Sequence, residues 1–145
     1  MHRTAPTRLA LLALLALVTL TLLAGCGKKA WPEPAAPEDA FSFTNVQGAM
    51  GSNCLTVQSR MAGNWHNVAA LYLEFSWDQC TDCPFRPTTT REFVPGADDC
   101  TIDAQGRLTI TACGMDPQVR YRYRLLGRNV HRTLRDAQSE VMVTP

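Results

Sequence analysis

The chain has 145 residues, with 14 Lys and Arg against 13 Asp and Glu, a formal charge of +1. That balance gives no electrostatic reason to expect a nucleic acid partner. The length allows one modest hydrophobic core and no more.

The first element lies outside any such core. His2, Arg3 and Arg8 precede an almost unbroken apolar run from Leu9 to Leu23, the positive and apolar regions of an export signal in the right order. The run falls short of the roughly 20 residues that a membrane-spanning helix needs. It ends in Leu23-Ala24-Gly25-Cys26, which resembles the lipobox of bacterial lipoproteins, where the cysteine sulfur receives a diacylglyceryl group and the cysteine becomes the first mature residue. The resemblance implies a signal peptide over residues 1–25, lipidation at Cys26 and a cell-envelope protein anchored to a membrane through its N-terminal lipid. Gly27, where many inner-membrane lipoproteins carry Asp, implies the outer membrane, facing the periplasm.

Residues 26–40 then read as a disordered linker. Pro32, Pro34 and Pro37 stand among alanines with almost nothing to join a core, and in an extended polyproline conformation the stretch reaches roughly 40 Å. Lys28 and Lys29 sit beside the lipid, where each gains about 1 kcal/mol from an anionic surface. Trp31 is either a headgroup-level residue or an exposed linker residue.

Residues 41–145 read as all β. Strand signals run over Phe41 to Val46, Cys54 to Ser59, Val68 to Trp77, Leu108 to Ala112, Tyr121 to Gly127 and Val141 to Val143. Turn signals separate them: Gly48 and Gly51, Gly63-Asn64, and a long loop with Pro84, Pro87, Pro95 and Gly96. Asp103 to Arg107, between Thr101-Ile102 and Leu108, reads as a hairpin turn. Period two recurs, most clearly as Leu71, Leu73, Phe75 and Trp77 against Tyr72, Glu74, Ser76 and Asp78, and the helical period is absent. Short strands at this density fit a sandwich of two antiparallel sheets.

The stretch Met115-Asp-Pro117-Gln-Val-Arg-Tyr121-Arg-Tyr123-Arg-Leu125-Leu-Gly127-Arg-Asn129 resembles the E–F corner and F strand of fibronectin type III domains, with Met for Leu and Gly for Ala. The resemblance implies that Pro117 fixes the turn and that Tyr121 is the corner tyrosine, its hydroxyl bonded to upstream backbone. The family's strand-B tryptophan is replaced by Ser59, with Trp77 or Trp65 as candidates to fill that volume. In the fibronectin arrangement strands B and E are antiparallel neighbours. With Leu55, Val57, Ile110 and Ala112 inward, that places Cys54 beside Cys113 on the outer face, within reach of a disulfide.

The remaining cysteines, Cys80, Cys83 and Cys100, supply one bridge and one spare thiol, as Cys80 to Cys83 or as one of these to Cys100; an exported chain keeps its thiols mostly oxidised. Cys80-Thr-Asp-Cys83-Pro84 has thioredoxin-like spacing without the helix that activates such a thiol. Covalent haem needs His where Pro84 stands. A zinc site from Cys80, Cys83, Cys100 and Cys113 matches no familiar spacing, and Asp98, Asp99 and Asp103 lack the EF-hand pattern. Neither hydrolase nor metalloprotease nor P-loop motifs occur, and His66 and His131 fall in loops. No catalytic residue, metal or cofactor is therefore assigned.

Arg120, Arg122 and Arg124, with Arg128, Arg132 and Arg135 beyond, form an outward row if Tyr121, Tyr123 and Leu125 point inward. That row suits an acidic envelope protein or an anionic glycan or lipid, unless Glu74 and Asp78 on the neighbouring strand neutralise it. The expectation is a lipid-anchored, non-catalytic interaction or structural module. The alternative is an envelope thiol-redox or metal-binding protein using Cys80 and Cys83.

Overall fold

The structure, a computed structural model, describes residues 36–78, 80 and 83–144. Residues 1–25, read above as a signal peptide, and Cys26, Lys28, Lys29 and Trp31 lie outside the described residues. Among the described residues nine strands follow in chain order: β1 (Phe41–Gly51), β2 (Cys54–Gly63), β3 (Val68–Trp77), β4 (Thr89–Phe93), β5 (Cys100–Ile102), β6 (Arg107–Cys113), β7 (Tyr121–Asn129), β8 (Ala137–Gln138) and β9 (Met142–Val143). They form two antiparallel sheets. One has the order β1-β2-β6-β5; the other has the order β4-β3-β7-β8, with β9 also paired to β7. The protein is a β-sandwich.

Alternation along the central strands makes the core. Leu55 and Val57 of β2, Leu71 and Leu73 of β3, Leu108 and Ile110 of β6, and Tyr123 and Leu125 of β7 are fully or almost fully buried. Burying each such side chain is worth about 1.5–3 kcal/mol. β1 breaks the rule partway: Asn45 takes a left-handed φ of 52° and the register slips between Thr44 and Gln47. This bulge shifts the inward phase from Phe41 and Phe43 to Val46, Gly48 and Met50. The strand thus runs on through the glycines read as turns, and at Gly48 a glycine is required. A Cβ there would stand 2.1 Å from the Tyr123 hydroxyl. Gly127 is required for a similar reason, since a Cβ would come within 2.7 Å of the Phe41 ring.

Four departures from the sequence reading are local. The described residues begin at Ala36, inside the stretch read as linker. A single 3-10 turn at Pro37–Asp39 is held by the side-chain amides of Asn67 and Asn129, which donate to the Asp39 carbonyl at 3.1 and 2.8 Å. β4 lies in the proline-rich loop, because its backbone pairs with β3 from Leu71↔Phe93 to Phe75↔Thr89. Trp77 is 61% exposed despite its inward phase; it is the last residue of β3, at the end of the register opposite Tyr121. The last strand is broken in two: the Leu125 N–H donates to the Ser139 hydroxyl at 2.9 Å and the Ser139 N–H to the Leu125 carbonyl at 2.9 Å. A side chain thus stands where a strand carbonyl would.

Ser59 is buried and donates to the Thr44 carbonyl at 3.0 Å. Of the two tryptophans considered for its neighbourhood, only Trp65 packs against the core, half-buried.

Candidate functional site

The turn between β6 and β7 forms as a unit. Met115 is buried, and the turn through Pro117 closes with the Val119 N–H donating to the Asp116 carbonyl at 3.2 Å. The Tyr121 hydroxyl accepts the Asp116 N–H at 3.1 Å. The Tyr121 backbone is clasped by buried Thr144, which accepts its N–H at 3.0 Å through the hydroxyl and donates to its carbonyl at 2.8 Å. This corner is structural, and it orients the start of β7.

The five cysteines among the described residues are distributed over two bridges and one thiol. Cys54 faces Cys113 in the β2–β6 register, the two are disulfide-bonded, and their Cα atoms lie 3.9 Å apart. A second bridge joins Cys80 to Cys83 in the β3–β4 connection, with both residues exposed. Cys100 is the remaining thiol and is fully buried. Burial, and then the charge of Asp99, push its pKa up to about 11. The four sulfurs weighed for zinc therefore sit in three separate places, and no group of three or more metal-ligating side chains converges among the described residues. His66 stacks on Trp65 with ring centroids 3.7 Å apart. Asp103 caps its own hairpin by accepting the Gln105 and Arg107 N–H groups at 2.9 and 2.8 Å; the Arg107 N–H is the main cause holding its carboxyl below the usual range.

The arginine row lies on the outer face of the β4-β3-β7-β8 sheet, and intramolecular partners occupy most of it. Arg120, just ahead of β7, stands 3.8 Å from Asp78. Arg122 donates to the Cys83 carbonyl at 2.7 Å. Arg124 pairs with Glu74 at 2.5 Å, partly buried, and also reaches Gln138 at 3.3 Å. The guanidinium groups of Arg122 and Arg124 lie 5.7 and 5.3 Å from the ring centre of Phe85, and Arg128 covers Tyr72 at 5.2 Å. Cation–π contacts of this kind fix the planar guanidinium against the face it covers. Arg132 and Arg135 are exposed beyond the strand.

Phe85 carries no signal in the sequence, because the proline-rich segment around it has no period; its place over the sheet is seen only in its contacts with Arg122 and Arg124. Between loop and strand end lies an open cleft of about 380 Å³, lined by Trp77, Cys80, Cys83, Pro84, Arg86 and Arg122 among others. On the opposite sheet Arg60 of β2 and Arg107 of β6 face each other directly across the strands. Neither was singled out by sequence, since their opposition depends on the register. No protein family and no curated protein matches this chain.

Proposed function

We propose that the protein is a lipid-anchored lipoprotein of the cell envelope whose β-sandwich, of fibronectin type III type, is a non-catalytic binding or structural module. The observation that carries this is the order along one chain: a basic and apolar leader ending in Leu23-Ala-Gly-Cys26, a proline-rich stretch, and then a disulfide-bridged sandwich. Such a chain uses its first mature residue for anchoring and its last hundred or so for display. The corner at Pro117 and Tyr121 and the strand order support the family likeness. The outer membrane is the proposed site, on the strength of Gly27.

Acyl chains contribute about 0.8 kcal/mol per buried methylene, so the two or more chains of a mature lipoprotein hold it on the membrane stably. Cys26→Ser is expected to abolish fatty-acid labelling and release the chain from the membrane fraction in high salt. A variant that stays with the membranes would show the lipoprotein reading to be wrong.

The redox alternative is favoured by one feature, the exposed Cys80–Cys83 bridge beside a cleft. Against it stands the strand-and-loop setting, which lacks the helix N-terminus that lowers a reactive thiol's pKa. Thiol counting with metal analysis on non-reduced protein separates the readings: a free Cys80/Cys83 pair or a bound metal favours the alternative.

A further inference from the structure

We propose that the outer face of the β1-β2-β6-β5 sheet binds an anionic polysaccharide, with Arg60 and Arg107 taking its acidic group and the neighbouring amides and hydroxyls its sugar hydroxyls. This deepens the binding-module reading and rests on it, but not on the lipid anchor.

The register builds the surface. Outward positions form rows across the strands: Gln47, Gln58, Thr109 and Thr101 in one, Thr44, Arg60 and Arg107 in the next. Beside the β1 bulge they frame a recess of about 300 Å³ lined by Asn45, Gln47, Gln58, Gln105 and the two arginines, among others. Like charges directly opposite in an antiparallel pair repel, and this pair is poorly balanced. Arg60 has no ion-pair partner among the described residues. Asp103, the one carboxylate nearby, lies 3.9 Å from Arg107 and is already accepting two backbone N–H groups. The contrast with the other sheet is direct, because there Arg120, Arg122, Arg124 and Arg128 each have a carboxylate, carbonyl or aromatic face. An anion seated between Arg60 and Arg107 relieves their repulsion, and the guanidinium fork suits carboxylate and phosphate alike.

The rest of the face selects the class of ligand. Side-chain amides offer donor and acceptor together, as sugar hydroxyls do. Neighbouring strands place them at about 4.8 Å intervals, close to the length of one sugar unit. The exposed large apolar residues Trp77, Val94, Val130, Val141 and Val143 all lie elsewhere, so the face lacks the anchors of a protein interface and the apolar insertion of a membrane-binding one.

The test uses the full chain in detergent, with immobilised alginate and phosphorylated dextran as probes and plain dextran as control. The wild-type chain should be retained on at least one anionic polymer and not on plain dextran. Arg60→Gln with Arg107→Gln should weaken retention at least tenfold while melting no lower than wild type, because a repulsion has been removed. Arg128→Gln, on the other sheet, should change it less than twofold. The proposal is overturned if the double variant binds as well as wild type or if neither anionic polymer retains the chain. It is equally overturned if the Cys26→Ser chain binds only phosphatidylglycerol vesicles. If any of these occurs while Cys26→Ser still releases the protein from membranes, the surface assignment fails and the anchored-module reading stands.

Discussion

Tyr121 separates ring from hydroxyl. Its ring packs edge-on against Phe75 at 6.0 Å, and its oxygen accepts the Asp116 N–H. Tyr121→Phe keeps the first and removes the second, so a loss of about 1–3 kcal/mol is expected, read as a lowered thermal midpoint. At Gly48 the cause is steric. Gly48→Ala drives a methyl into the Tyr123 hydroxyl, and overpacking of this kind costs about 1–3 kcal/mol. Cys100 predicts a pH dependence. Its folded pKa of about 11 lies above the ordinary 9.0, so the folded state holds its proton more tightly than the unfolded state does. The resulting stability is fully present below pH 9 and is lost as pH rises through 11. Chemical denaturation across that window should show a decline that is smaller in Cys100→Ala. Native protein at neutral pH should resist thiol reagents, since a buried neutral thiol is a poor nucleophile.

At the scale of elements, the Cys54–Cys113 bridge ties β2 to β6 with a sequence separation of 59 residues, whereas Cys80–Cys83 spans only 3. On the chain-entropy model, removing the first costs about 4 kcal/mol and removing the second about 2 or less. Paired Cys→Ala variants unfolded in urea should show that ranking. Equal losses would mean that the short bridge also fixes the Phe85 loop on the arginines. Strands were legible in the sequence wherever both faces had a distinct environment: β3 could be read to the residue because Leu71, Leu73 and Phe75 alternate with Tyr72, Glu74 and Ser76. The short strand β4 was not legible, because among its residues only Phe93 is buried and prolines flank it. The break between β8 and β9 depends on a single serine hydroxyl, which leaves no pattern. The arginine row was visible as an alternation. What occupied it was only partly so: Glu74 and Asp78 lie on or beside a readable strand, but Phe85 and the Cys83 carbonyl arrive by a loop.

Across the whole molecule the two sheets differ in how their outer faces are finished. One is covered by a disulfide-bridged loop and by arginines laid on aromatic rings; the other is open and polar, with a recess beside the β1 bulge. With the arginines of one face largely engaged by its own groups, the proposed polysaccharide surface lies on the other, as the Arg60 and Arg107 variants test. The broken last strand has a further meaning under the proposed lipid anchoring. Copies confined to a plane meet one another far more often than copies in solution, and an unbroken edge of N–H and C=O groups would let each encounter add a strand to its neighbour's sheet. Ser139 sets its hydroxyl where a strand carbonyl would stand, between β8 and β9, and neither remnant exceeds two residues. At this edge of the β4-β3-β7-β8 sheet, the crowding that the proposed anchor would impose raises local concentration without supplying a long template for strand addition.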